Sequence, residues 1–125
     1  MNTHSAMVDK YRHIPDTEIP YEDDFWLVVT PFNEEASCQV GGGTKWCTAA
    51  RESENRFWHY AAYTPLFVII NKSKNGVKYQ YNTDSKEFND IQNHGVPIDS
   101  VGLSKELLAW LKDGTETYKE KYLLS

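Results

Sequence analysis

Two apolar runs stand out against a polar chain: Phe25-Trp26-Leu27-Val28-Val29-Thr30 and Leu66-Phe67-Val68-Ile69-Ile70-Asn71-Lys72. Both are rich in aromatic and β-branched residues, which pack well on a pleated surface, so both predict strands. The first is apolar on both alternating faces and ends at Pro31, which predicts a strand covered on both sides and central in its sheet. The second leads to Asn75-Gly76, the dipeptide that turns a two-residue hairpin. Val77–Asn82 then returns antiparallel, and Glu87–Ile91 follows a turn at Thr83-Asp84-Ser85-Lys86 as a short third strand of the meander. A two-residue turn pairs Lys72 with Tyr79 and Ile70 with Tyr81. The opposite face then carries Ile69, Asn71, Lys78 and Gln80, and a longer loop inverts this assignment.

Helical spacing appears in four places. Val8, Tyr11 and Ile14 predict a short helix in an otherwise polar segment. Asn33 reads as an N-cap, with Glu34 and Glu35 in the first turn where the helix dipole favours negative charge, and Gly41 closes this two-turn helix. Ser53 caps a helix over Glu54–Tyr63, in which Phe57, Tyr60 and Ala61 face inward and Trp58 and His59 point elsewhere; Pro65 ends it. Ser104 caps the last helix, where Leu103 and Leu108 form a hydrophobic staple and Leu107, Leu111, Tyr118 and Tyr122 continue the stripe. Gly114 interrupts that stripe or separates two helices. The pattern predicts a single α+β domain: a small antiparallel sheet, made of the meander plus one N-terminal strand, packed against helices. Residues 1–24 read as an N-terminal arm and 25–125 as the core.

Composition narrows the function classes. A chain of 125 residues holds one core with little surplus. The net charge of -5 argues against general DNA or RNA binding, which needs a basic face to displace counterions. Cys38 and Cys47, the only cysteines, form no zinc-ligand spacing with His4, His13, His59 or His94, and no motif calls for a metal or a cofactor. The N-terminus has no signal-peptide core and no apolar run reaches membrane-spanning length, so the expectation is a cytoplasmic protein with reduced thiols.

The densest chemistry lies in Gly41-Gly42-Gly43-Thr44-Lys45-Trp46-Cys47-Thr48-Ala49-Ala50. Glycines let a backbone come close to another group, and hydroxyls, an ammonium, an indole and a thiol follow at once. The glycines trail a helix instead of leading into one, and neither GxxxxGK[ST] nor GxGxxG occurs, so a phosphate-cradling loop is rejected.

Together, Trp26-Leu27-Val28-Val29-Thr30-Pro31, Glu35-Ala36-Ser37, Gly43–Ala49, Leu66–Ile70 and Lys78-Tyr79-Gln80 resemble a family of small bacteriophage proteins whose hallmark is a TKWCTA box followed by an apolar strand and a KYQ strand. The resemblance covers roughly Phe25 to Val96. It implies a viral origin and action in the host cytoplasm, where small viral domains interfere with immunity by sequestering a signalling nucleotide or blocking a host defence protein.

Three functions compete. The first is a non-catalytic protein that captures a nucleotide-like or other small anionic ligand, bound by Gly42, Gly43, Thr44, Lys45, Trp46, Thr48, Arg56, Trp58, Lys78, Tyr79 and Tyr81 in a mostly apolar cleft with a few placed polar groups. The second is a transferase or hydrolase with Cys47 as nucleophile, its thiolate favoured by Lys45, with His59 or His94 as base and Asp90 or Asp99 to orient it. The third is a protein–protein inhibitor, an oligomer or monomer, docking through Glu22–Asp24 and Glu34-Glu35. The co-location of glycines, hydroxyls, a cation and aromatics favours the binder over the enzyme.

Overall fold

The computed structural model describes residues 8–46, 48, 50, 55, 57, 65–74, 76–83, 85–116 and 118. A 3-10 turn, Asp9–His13, precedes strands β1 (Thr17–Glu22) and β2 (Trp26–Pro31), helix α1 (Glu34–Val40), strands β3 (Leu66–Asn71), β4 (Lys78–Asn82) and β5 (Phe88–Asn89), and helix α2 (Lys105–Ala109). A π-helical turn, Trp110–Gly114, extends α2. The five strands form one antiparallel sheet in the order β1-β2-β3-β4-β5, so the α+β expectation holds. No helix among the described residues is long and apolar enough to cross a membrane.

The apolar strands sit where their composition sends them. Every residue of β2 is buried, and its neighbours are β1 and β3. One face of the sheet carries Leu27, Val29, Val68 and Ile70 against Val8, Tyr11, Val40 and Trp46. The other carries Trp26, Val28, Phe67, Ile69 and Tyr81 against Leu103, Leu107 and Leu111. The sheet is therefore a middle layer between α1 with the N-terminal turn and the C-terminal helix.

Three expectations change. First, the stretch read as an arm contributes β1, an edge strand with Pro20 inside it and a register shift between Glu18 and Tyr21. Its residues are half-buried or exposed, which hides a strand from any hydrophobic pattern. Second, β3 and β4 pair Ile70 with Lys78, Ile69 with Tyr79 and Phe67 with Tyr81. That register excludes the two-residue turn. The Asn71 side-chain oxygen accepts from the backbone of Ser73 and Lys74 and from the Ser73 hydroxyl, starting the turn early, as asparagine does when it mimics a backbone turn. Lys72 is drawn away to Glu22 and the Asp23 carbonyl. The longer loop puts Lys78 and Gln80 on the face of Ile70, and Tyr79 and Tyr81 on the opposite one. Third, β5 is only Phe88–Asn89. The predicted helix 54–63 lies outside the described residues except for Asn55 and buried Phe57.

The caps behave as their chemistry requires. Asn33 accepts from the Ala36 amide at 2.8 Å and Ser104 from Leu107 at 3.2 Å. Gly41 closes α1 at φ -88, so the left-handed position belongs to Gly43, at φ +81. At Gly114 a Cβ would stand 2.6 Å from Trp110 Cδ1, and only hydrogen fits there.

Candidate functional site

Thr44, Lys45, Trp46 and Thr48 of the TKWCT box are woven into the scaffold. Trp46 is 2% exposed and packs with Leu27, Val29, Val68 and Ile70; its indole nitrogen donates to the Asp90 carbonyl at 2.7 Å. The Lys45 amide donates to the Ile91 carbonyl at 2.9 Å, docking the glycine loop on the turn after β5. The Thr44 hydroxyl donates to the Gly41 carbonyl at 2.6 Å. Buried Thr48 donates through its hydroxyl to the Gln80 side-chain oxygen, and its carbonyl accepts from the Ser37 hydroxyl at 2.7 Å and the Asn55 amide at 3.0 Å. Cys38, a buried free thiol, lies 3.6 Å from the Ala50 carbonyl it donates to. Ser37, Cys38 and Asn55 thus hold Thr48 and Ala50 against α1. Such satisfied polar groups rigidify a core.

Lys78 belongs to the same face. Its Nζ is buried, donating to the Val40 carbonyl at 2.7 Å and the Tyr11 hydroxyl at 3.2 Å, and it lies 5.3 Å from the Tyr11 ring centre. Burial, helped by the charge of Lys10, pulls its ammonium down to about 8. Tyr79 and Tyr81 occupy the other face, where Tyr79 stacks on Phe88 with ring centres 5.0 Å apart.

The predicted ligand set therefore divides. Gly42, Gly43 and Lys45 are exposed at the loop, Thr44 is half-buried, and Trp46, Thr48 and Lys78 are interior on one face of the sheet. Tyr79 and Tyr81 lie across the sheet from them, so no single pocket is lined by the whole set. Cys47, Arg56 and Trp58 lie outside the described residues, as does His59. The acidic turn is also committed. Glu22 accepts from the two terminal nitrogens of the Arg12 guanidinium, at 2.8 and 2.5 Å, and from the Lys72 ammonium at 2.7 Å. Asp23 accepts from the Phe25 and Trp26 amides, the Tyr21 hydroxyl and the Ser104 hydroxyl.

A cavity opens at another address. A cleft of about 380 Å³ lies between β4, β5, the 96–98 segment and the C-terminal helix. Tyr81, Phe88, Val96, Ile98 and Leu111 supply apolar wall. Lys86, Lys112 and Glu116 bring charge, and Thr83 and Thr115 bring hydroxyls. Its size and its mixture of apolar wall with a few polar groups match small-ligand sites in general. Two backbone irregularities border it. Lys86 has φ 62, a conformation that a residue with a Cβ adopts at a cost, and Leu111 and Lys112 sit in the π-helical turn. Such turns occur often at functional sites. Of the predicted residues that the structure describes, only Tyr81 lines this cleft. The others are separated in sequence by up to 35 positions, from Tyr81 to Glu116, and carry no motif; only the unexplained break at Gly114 hinted at the irregular helix.

Comparison with family profiles, curated proteins and solved structures returns no match to this chain.

Proposed function

We propose that this is a non-catalytic capture protein of bacteriophage type that binds a nucleotide-like or other small anionic ligand and withdraws it from a host defence pathway in the cytoplasm. The binding place is the cleft beside Tyr81, Phe88 and Leu111, and the TKWCT box serves as the internal brace of the scaffold. The cleft carries this reading: it has room for a small organic molecule, apolar wall to bury its body and two ammonium groups to meet an anion. The resemblance of the box to phage proteins supplies the biological setting.

A thermal-shift panel of linear and cyclic nucleotides and aromatic acids tests the reading, run beside Ile98→Trp, which fills the cleft from half-buried Ile98. Stabilisation of the wild type by a panel member, absent in Ile98→Trp, supports capture there. No shift with any member overturns it.

A further inference from the structure

We infer that Asn75-Gly76 is a self-modifying site, where Asn75 loses its side-chain amide to become isoaspartate or aspartate while the other described asparagines persist. The dipeptide does not set the β3–β4 register, because the Asn71 side chain starts that turn, and ligand capture gives it no part. The reaction needs only water. The Gly76 amide nitrogen gives up its proton and attacks the side-chain carbonyl carbon of Asn75. A C–N bond forms, closing a succinimide ring, and the C–NH2 bond breaks; the NH2 leaves with that proton as ammonia. Water then adds to one imide carbonyl and breaks its C–N bond. Opening on one side leaves aspartate, and opening on the other routes the main chain through the side-chain carbon as isoaspartate. Either product makes the chain one unit more negative than its -5.

Ring closure needs an attacking amide outside any hydrogen bond and a following residue that leaves room. Asn75 enters only through its covalent bond to Gly76, and Gly76 meets both needs. It is exposed, at φ +81, and nothing stands within 4 Å of where a Cβ would sit. The Val77 amide donates to the Lys74 carbonyl at 3.2 Å, and positive φ at the third position of such a turn belongs to glycine. The Gly76 amide lies inside this turn and makes no hydrogen bond among the described residues. The other described asparagines are held. The amides that follow Asn71, Asn89 and Asn93 donate to the Phe25 carbonyl, the His94 carbonyl and the Asp90 carboxylate at 2.9, 3.0 and 2.9 Å. The side-chain oxygens of Asn33, Asn55 and Asn82 accept from the amides of Ala36, Phe57 and Ser85, which fixes the carbonyl that would be attacked. Each of these six is followed by a residue with a Cβ, which crowds the ring.

Incubation of the folded full chain in warm buffer, followed by peptide mapping in a mass spectrometer and labelling with an isoaspartate-specific methyltransferase, tests this. The peptide holding Asn75 should gain the mass of OH in place of NH2 and accept the methyl label over days. Its rate should exceed that of Asn33, Asn71 and Asn93 by about tenfold or more, since those sites must first break a hydrogen bond. Because the attacking amide must be deprotonated, the rate should rise about fivefold to tenfold from pH 7.5 to 8.5. Asn75→Gln, whose longer side chain closes a less favourable ring, should stay unmodified at that position. The same chain unfolded in urea is the reference, and the folded rate at Asn75 should lie within about threefold of it, as for an amide already free. Conversion at Asn75 in urea but not in the folded protein overturns the inference, because the turn then protects the site. Conversion in the folded protein that is equal at Asn75 and Asn71, or absent from Asn75 in both states, overturns it as well. None of these outcomes depends on whether the cleft binds a ligand.

Discussion

The Lys78 ammonium lies 2.7 Å from the carbonyl oxygen of Val40, the last residue of α1. A buried cation here meets a carbonyl dipole, a phenol and the face of an aromatic ring, with the charge of Lys10 opposing it. Carbonyl groups at a helix C-terminus attract positive charge, which offsets part of the desolvation cost.

That placement predicts a pH dependence. The folded ammonium titrates near 8, whereas the unfolded chain holds its proton to the ordinary 10.5. Between those values the unfolded state binds more protons, so stability rises with pH. Tyr11, Tyr21, Tyr79 and Tyr81 are all raised by burial and oppose the trend as pH approaches 10. Lys78→Met keeps the tyrosines and removes the lysine, so the difference between the two proteins isolates it. The wild type should gain on the order of 1 to 2 kcal/mol over the variant between pH 8 and 9.5, read by urea unfolding at several pH values.

Trp46→Phe removes the indole N–H that reaches the Asp90 carbonyl, and leaves space beside Val68. The expected loss is about 1–3 kcal/mol in chemical denaturation. Ligand binding at the Tyr81 cleft, on the other face of the sheet, should persist under native conditions. Loss of ligand binding with stability intact would assign the ligand to the box instead.

Asp23 joins the β1–β2 turn to the C-terminal helix. Burial pushes its carboxyl up, yet bonds from Ser104, Tyr21 and two backbone amides hold it below the usual aspartate value. Asp23→Asn keeps the shape but turns one acceptor into a donor facing hydroxyls or amides. About 2 kcal/mol should be lost, and Ser104→Ala added to it should cost less than it does in the wild type. A double-mutant cycle by thermal unfolding measures this coupling.

Gly114→Ala would raise stability on helix propensity alone, by about 1 kcal/mol. With a Cβ 2.6 Å from Trp110 Cδ1, the ring or the turn must move, and the net effect should be a loss of about 1–3 kcal/mol. Differential scanning calorimetry decides the sign.

The sequence made the buried strands, the caps at Asn33 and Ser104 and the α+β class legible, because each rests on local chemistry that the fold respects. Strand β1 stayed hidden because an edge needs no continuous apolar face. The β3–β4 register escaped because Asn71 begins its turn with a side chain, a local preference that outcompetes the Asn75-Gly76 signal. The box looked like a site because buried polar side chains and ligand-binding ones are the same residue types. Only the Trp46–Asp90 and Thr48–Gln80 contacts, 44 and 32 positions apart, reveal the difference. The cleft was illegible since its lining residues, Tyr81 to Glu116, come together only through folding.

The two outer strands carry one more implication. Pro20 and the register shift deprive β1 of a regular row of amide donors, and β5 ends after two residues, with its bridge from Asn89 to Gly95 turning the chain back. Neither margin is a good template for a foreign strand, so the folded protein should tolerate crowding at high concentration without seeding fibres.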